Sequence, residues 1–289
     1  MIPPQFDYVR PGSLEEVLAI LRDRPGEAKL LSGGFSLLPL LKLRLAQPEL
    51  LVDLGDIPGL DSVTETADGL RIGGRATHRS ILESPATARY WMIREAAAGI
   101  GDPQIRNWGT IGGSVAHADP SADWPAVLLA QRATVVVRSA NGERTLPARG
   151  FFVDAFETGI QPDEVLTEVH IPRRPDNAGG TYQKLERRAG DFSTVGVAVI
   201  MAISDGVIER AGIGITAVGP AAFAAEDAEA ALVGKAPSEE AFHAAAQAAS
   251  AQSQPVTDSH GPADYKRAMV TEMTMRALRL AAERAAGNA

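Results

Sequence analysis

Leu30-Leu31-Ser32-Gly33-Gly34-Phe35-Ser36-Leu37 is the stretch on which the reading turns, and Thr110-Ile111-Gly112-Gly113-Ser114 repeats its chemistry further along the chain. Each sets paired glycines beside hydroxyl residues in apolar surroundings. Paired glycines let backbone N–H groups face outward and let an anion approach closely, because no Cβ intervenes. Two such segments predict a diphosphate gripped from two sides, as a dinucleotide requires. In the first, the amides of Gly33 to Leu37 and the hydroxyls of Ser32 and Ser36 suit a phosphate held at the start of a following helix. The competing reading is a tight strand-to-helix turn that merely needs glycine, and one isolated Gly-Gly pair would favour it.

Working outward, Ser13 and Glu16 form a capping box for a helix whose apolar face is Val17, Leu18 and Leu21. Ala28 to Leu31 predicts a short buried strand entering the first glycine segment, and Leu37 to Leu45 a helix leaving it. Leu50 to Leu54, Leu70 to Gly74, Ala133 to Arg138 and Val165 to Ile171 predict strands. Trp91 to Ala98 and Asp123 to Ala130 predict helices. Asn141-Gly142 is expected as a type I′ hairpin turn.

Pro172 to Gly180 is the best linker candidate, rich in proline, glycine and charge. Beyond it, Tyr182 to Arg187, Thr194 to Ile203 and Val207 to Val218 predict strands, with Asp205-Gly206 joining the last two. Helices are expected at Glu239 to Ala249 and from Asp264 to about Ala286, the latter able to pack on its own sheet or on another chain. Strands and helices in this order give an α+β fold, divided into residues 1–175 and 176–289.

The net charge of −8 and the lack of a Lys/Arg run argue against a nucleic-acid surface. With no cysteine, the chain holds neither a disulfide nor an iron–sulfur cluster on its own thiolates. No apolar run reaches membrane-spanning length, and Met1 to Asp7 has no signal-peptide character. A cytoplasmic protein is the expectation. The five histidines show no metal-ligand spacing with Asp or Glu, and no metal is expected.

Downstream of the second segment, His117-Ala-Asp-Pro-Ser-Ala-Asp-Trp124 is unusually polar for sequence entering an apolar helix. Asp123 is a candidate acceptor for ribose or backbone groups; its plain alternative is the N-cap of that helix. His78 and His117 are expected to be structural or near-site polar residues.

Three segments in combination resemble the FAD-binding medium subunit of molybdenum hydroxylases, the carbon monoxide dehydrogenase and xanthine dehydrogenase type. They are Leu30 to Arg44, Ile100 to Pro120 and Arg187 to Gly196, and the resemblance runs from about Phe6 to Leu280. It implies a two-subdomain FAD-binding domain of the vanillyl-alcohol-oxidase (PCMH) type, then a small α+β C-terminal domain with an antiparallel sheet. It also implies non-covalent FAD, with the diphosphate held by Leu30, Leu31, Ser32, Gly33, Gly34, Phe35, Ser36 and Leu37 and by Thr110, Ile111, Gly112, Gly113 and Ser114. Ile100 would line the cofactor, Asp123 hold its polar groups and Ile160 offer a backbone contact. Lys184 would lie close to the flavin ring and Phe192 shield it. Phe35 and Phe192 depart from the glutamine or histidine and the tyrosine that many relatives carry.

The resemblance further implies no catalytic acid, base or nucleophile on this chain. Substrate would be oxidised at a molybdenum cofactor on a large subunit, and electrons would pass through [2Fe-2S] clusters of a small subunit to FAD. The assembly expected is a heterotrimer or a dimer of heterotrimers. Two alternatives stay open: a self-sufficient FAD-dependent oxidase or dehydrogenase of the same superfamily, and a scaffold subunit whose site has decayed.

Overall fold

The structure, a computed structural model, describes residues 2–287. Among the described residues, three larger sheets follow one another along the chain, each with its own helices, and a two-stranded sheet accompanies the second. The first comprises β1 (Asp7–Val9), α1 (Leu14–Asp23), β2 (Ala28–Leu31), α2 (Leu37–Lys42) and β3 (Leu50–Asp53). β3 lies between β1 and β2 and is parallel to both. α1 starts as the sequence predicts, with Ser13 Oγ accepting from the Glu16 N–H at 3.3 Å. The Glu16 carboxylate, however, accepts from Gly12 at 2.9 Å rather than from Ser13. Leu14, Val17 and Leu21 bury against Leu50, Val52 and Leu54. α2 stops at Lys42, short of the expected Leu45, because Arg44 adopts a left-handed φ of 60°.

The second layer holds β4 (Val63–Thr66), β5 (Gly69–Gly73), α3 (His78–Glu83), α4 (Trp91–Gly99), α5 (Pro103–Trp108), α6 (Ile111–His117) and α7 (Asp123–Gln131). It continues with β6 (Thr134–Ser139), β7 (Gly142–Pro147), the small hairpin β8 (Phe152–Asp154) and β9 (Glu157–Thr158), and β10 (Val165–Pro172). The antiparallel sheet runs β4-β5-β10-β6-β7. One face, carrying Leu70, Ile72, Val135, Val137, Val169 and Ile171, packs on Met92, Ile93, Trp124, Val127 and Leu128 of α4 and α7. The β6–β7 turn centres on Ala140-Asn141, and only Gly142, already paired with Ser139, takes a positive φ, of 128°. It is therefore a hairpin as expected but not a type I′ turn.

The third layer comprises β11 (Ala178–Leu185), β12 (Val195–Ser204), β13 (Val207–Thr216), β14 (Phe223–Ala224), α8 (Glu226–Leu232), α9 (Glu239–Gln252) and α10 (Ala263–Ala285). Its strands form an antiparallel meander. Asp205 and Gly206 both have positive φ, 50° and 75°, which is type I′ geometry at the hairpin expected there. β12 explains how the layers join. Val195, Val197, Val199 and Met201 face Phe242, Ala245, Val270 and Leu278 of α9 and α10. Ala198, Ile200 and Ala202 join the core of α4 and α7. A strand covered on both faces reads as a continuous apolar run rather than an alternating one. The terminal helix thus packs on the sheet of its own chain. Among the described residues no helix is long and apolar enough to cross a membrane.

Candidate cofactor site

The first glycine segment leaves β2 at the carboxyl end of the parallel sheet, where open α/β sheets bind ligands. Gly33 is required by packing: a Cβ there would lie 2.3 Å from the Trp108 carbonyl oxygen. Gly34 takes a left-handed φ of 81°, which turns the chain into α2. Across this turn the N–H groups of Gly33, Gly34, Phe35 and Ser36 have no hydrogen-bond partner among the described residues. Phe35 and Ser36 are exposed, and Ser32 to Gly34 are half-buried. Leu30 and Leu31 are also half-buried, paired with Val52 and Asp53 of β3. A run of unpartnered amides next to a helix start is an anion cradle.

The second segment is not a loop, contrary to the sequence reading. Thr110 is the N-cap of α6, and Ile111 to Ser114 form its first turn. Its amides are all engaged: Ile111 with the Ala76 carbonyl at 3.0 Å, Gly112 with that of Gly74 at 2.9 Å, Gly113 with Thr110 Oγ1 at 3.2 Å and Ser114 with the Thr110 carbonyl at 3.0 Å. A Cβ on Gly112 would lie 2.4 Å from the Gly74 oxygen, so this glycine permits a close backbone crossing. Gly113 is exposed, and a Cβ there would meet only Thr110 Oγ1. The two segments touch through Ser32 Oγ and Thr110 Oγ1, 3.0 Å apart.

His78 braces the second segment. Its backbone N–H donates to the Gly109 carbonyl at 3.0 Å, and its Nδ1 accepts from the Trp124 indole at 3.1 Å. Burial, helped by the Arg106 charge, lowers its pKa to about 4, so the imidazole is neutral with the proton on Nε2. His117 packs its ring 5.0 Å from that of Phe156 and is likewise held below its ordinary value by burial.

Asp123 is not a helix cap, since Ala122 holds that position. Its buried carboxylate reaches across to the third layer. Oδ1 accepts from the Tyr182 hydroxyl at 2.5 Å and from Ser193 Oγ at 3.1 Å, and Oδ2 from Lys184 Nζ at 3.3 Å. Lys184 also donates to the Gly99 carbonyl at 3.0 Å and pairs with Glu186 at 3.4 Å. Burial pushes the Asp123 carboxyl up, opposed by Lys184, Tyr182 and Ser193. Burial, reinforced by the Asp123 charge, raises the Tyr182 phenol well above its ordinary value, so it stays a donor. Removing one member of such a buried ion pair costs about 3–5 kcal/mol.

Ile100 follows α4 half-buried, its carbonyl accepting from Arg106 at 3.0 Å. Ile160 packs against the same core as Ile100, while Phe192 is exposed on the turn before β12. No hydrogen bond among the described residues ties Ile160 or Phe192 to either glycine segment or to the Asp123 cluster. Tyr182 and Ser193 carry no local sequence signal. One indirect trace is Gly196, where a Cβ would lie 2.5 Å from the Tyr182 hydroxyl.

The family described as the FAD binding domain in molybdopterin dehydrogenase matches residues 4–174, and the CO dehydrogenase flavoprotein C-terminal domain matches residues 180–281. The carbon monoxide dehydrogenase medium chain of Hydrogenophaga pseudoflava is 43% identical over 99% of this chain and 100% of its own length. The nicotine 6-hydroxylase medium subunit of Paenarthrobacter nicotinovorans is 38% identical over 95% and 96%. The solved H. pseudoflava carbon monoxide dehydrogenase lacking the Mo-pyranopterin moiety superposes with a TM-score of 0.96 at 46% identity, covering 98% of this chain and 99% of that one. Fold, matched domains and relatives agree: this chain belongs to the FAD-binding medium subunits of the molybdenum hydroxylase family.

Proposed function

We propose that this chain is the electron-relay subunit of a heteromeric molybdenum hydroxylase, receiving electrons from a partner's [2Fe-2S] clusters and passing them to an external acceptor. The observation that carries the reading is the row of unpartnered amides at Gly33 to Ser36, at the carboxyl end of β2. That donor set fits the diphosphate of a dinucleotide. The Ser32, Ser36 and Ser114 hydroxyls and the positive end of α6 add to it.

Residues 1–175 would hold the FAD and residues 176–289 close the flavin end. Leu30 to Leu37 and Thr110 to Ser114 would take the diphosphate from opposite sides. Ile100 and Ile160 would line the cofactor, Asp123 and Lys184 set the charge beside the flavin, and Phe192 cover it. Bound FAD supplies a two-electron acceptor that takes electrons one at a time. The chain's own part is to bind, orient and tune it. No residue would act as acid, base or nucleophile on the organic substrate. The partners would be a large molybdenum-cofactor subunit and a small [2Fe-2S] subunit, in a cytoplasmic heterotrimer or dimer of heterotrimers.

The test is the visible absorption spectrum of the complex purified through a tag on this chain. Flavin bands over broad iron–sulfur absorption are expected, and a cysteine-free chain cannot supply those clusters. Flavin alone on a single polypeptide would instead mark a self-sufficient oxidase. An intact complex without flavin would contradict both and leave a scaffold.

A further inference from the structure

The polar cluster at Asp123 crosses between two layers of the fold. The carboxylate comes from the first turn of α7, whereas Tyr182 and Lys184 lie on β11 and Ser193 lies two residues before β12. The cluster is buried throughout: Tyr182 is 5% exposed, Asp123 6% and Ser193 1%, and the Lys184 side chain 9%. Every neighbour of the carboxylate is a donor, and the phenol and the serine hydroxyl also face each other at 3.2 Å. Room for the phenol is made by Gly196, opposite Lys184 in the β11–β12 register. A core that merely needed filling would have used apolar side chains, since buried polar clusters are costly unless every member is paired.

Lys184 and Arg106 anchor the end of α4 beside Ile100. Lys184 holds the Gly99 carbonyl, and Arg106 the Ile100 and Gly101 carbonyls at 3.0 and 2.7 Å. Lys184 therefore sits against the segment assigned to line the cofactor, with its ammonium fixed by hydrogen bonds to Asp123 and Gly99 and by an ion pair with Glu186.

We propose that Tyr182 and Ser193 are positioning residues for the flavin: by donating to Asp123 they keep its carboxylate seated against the Lys184 ammonium, whose field it offsets, so that the third layer sets the reduction potential of a cofactor whose diphosphate is gripped by the first two. This rests on the reading that the site binds FAD with its flavin beside Lys184. A cation there favours the electron-rich reduced flavin and raises the potential; the Asp123 carboxylate offsets it. Burial already favours the neutral form of Asp123. Removing the phenol donor adds to that bias and weakens the offset. Glu186 is the remaining charged group facing Lys184 and is unchanged by the substitution.

The experiment is a spectroelectrochemical titration of the full-length chain reconstituted with FAD, with FAD affinity and thermal unfolding measured in parallel. Tyr182→Phe is expected to shift the potential upward, in the direction of Asp123→Asn, with Ser193→Ala shifting it less in the same sense. Lys184→Gln is expected to shift it downward, and Tyr265→Phe, an exposed phenol, to leave it unmoved. A Tyr182→Phe chain that binds FAD, melts lower and keeps the wild-type potential would overturn the proposal and leave the cluster purely structural. Should Tyr182→Phe fail to fold, the potential of Ser193→Ala decides, an unchanged value overturning it. Failure of the wild-type chain to take up FAD would contradict the site assignment instead, so the two failures are distinguishable.

Discussion

The two glycine segments carry nearly the same chemistry in sequence and do different things in space. Gly33 to Ser36 is an open turn whose amides have no partner among the described residues. Ile111 to Ser114 is a helical first turn whose amides are all occupied, two of them by the carbonyls of Ala76 and Gly74. One glycine of each pair answers to packing, Gly33 against Trp108 and Gly112 against Gly74. At the other, Gly34 or Gly113, a Cβ would meet only side chains. The difference teaches that a Gly-Gly pair reports close backbone approach first; whether it also reports a ligand depends on where its N–H groups go. On the proposed reading the first segment is the anion cradle, and the second is a brace that would present Thr110, Ser114 and a helix end to it.

Substitutions can break that contrast. Gly112→Ala has the largest expected effect, because its Cβ would fall 2.4 Å from the Gly74 carbonyl oxygen, a backbone atom rather than the end of a flexible side chain. A loss of more than about 3 kcal/mol is expected in urea unfolding, with or without FAD.

Acid should attack the same brace. The folded pKa of His78 is about 4, against roughly 6.5 in an unfolded chain, so between those pH values the unfolded state binds the extra proton. Stability is complete above the unfolded value and is lost as pH falls through the window, by about 3 kcal/mol in total. Unfolding measured across that window should show the loss, and His78→Gln should flatten it.

Gly34→Ala sharpens the other side of the comparison. A Cβ at φ 81° is strained, by about 1–2 kcal/mol, and re-aims the free amides. FAD affinity, read by flavin fluorescence quenching, should fall at least about tenfold, or 1.4 kcal/mol. Gly113→Ala should change least. Its Cβ meets only a hydroxyl, and alanine in the first turn offsets the contact by up to about 1 kcal/mol of helix propensity, so stability should stay near wild type and affinity drop only a few-fold.

Much of this was legible in the sequence where local chemistry decides. Ser13 announced α1, Asp205-Gly206 announced a hairpin, and Ala28 to Leu31 announced β2. The second glycine segment misled because glycine is a poor helix former. Its helix is held by Thr110 as cap and by backbone crossings to Gly74 and Ala76, distant in sequence. α5 was passed over although Asp102 caps it and Pro103 occupies its first turn. Asp123 was picked out, but its partners Tyr182, Lys184 and Ser193 lie on another layer, and no spacing rule links residues across two sheets. The resemblance supplied Lys184; only the fold supplied the phenol and the serine that hold Asp123.

The most direct test of the division between cradle and brace is amide hydrogen exchange of the full-length chain with and without FAD. The account predicts fast exchange at Gly33 to Ser36 in the absence of FAD and marked slowing when it binds. Ile111 and Gly112, already bonded to Ala76 and Gly74, should be slow in both states. Amides at Gly33 to Ser36 that exchange equally fast with FAD bound, while those of Ile111 to Ser114 gain the protection, would contradict it.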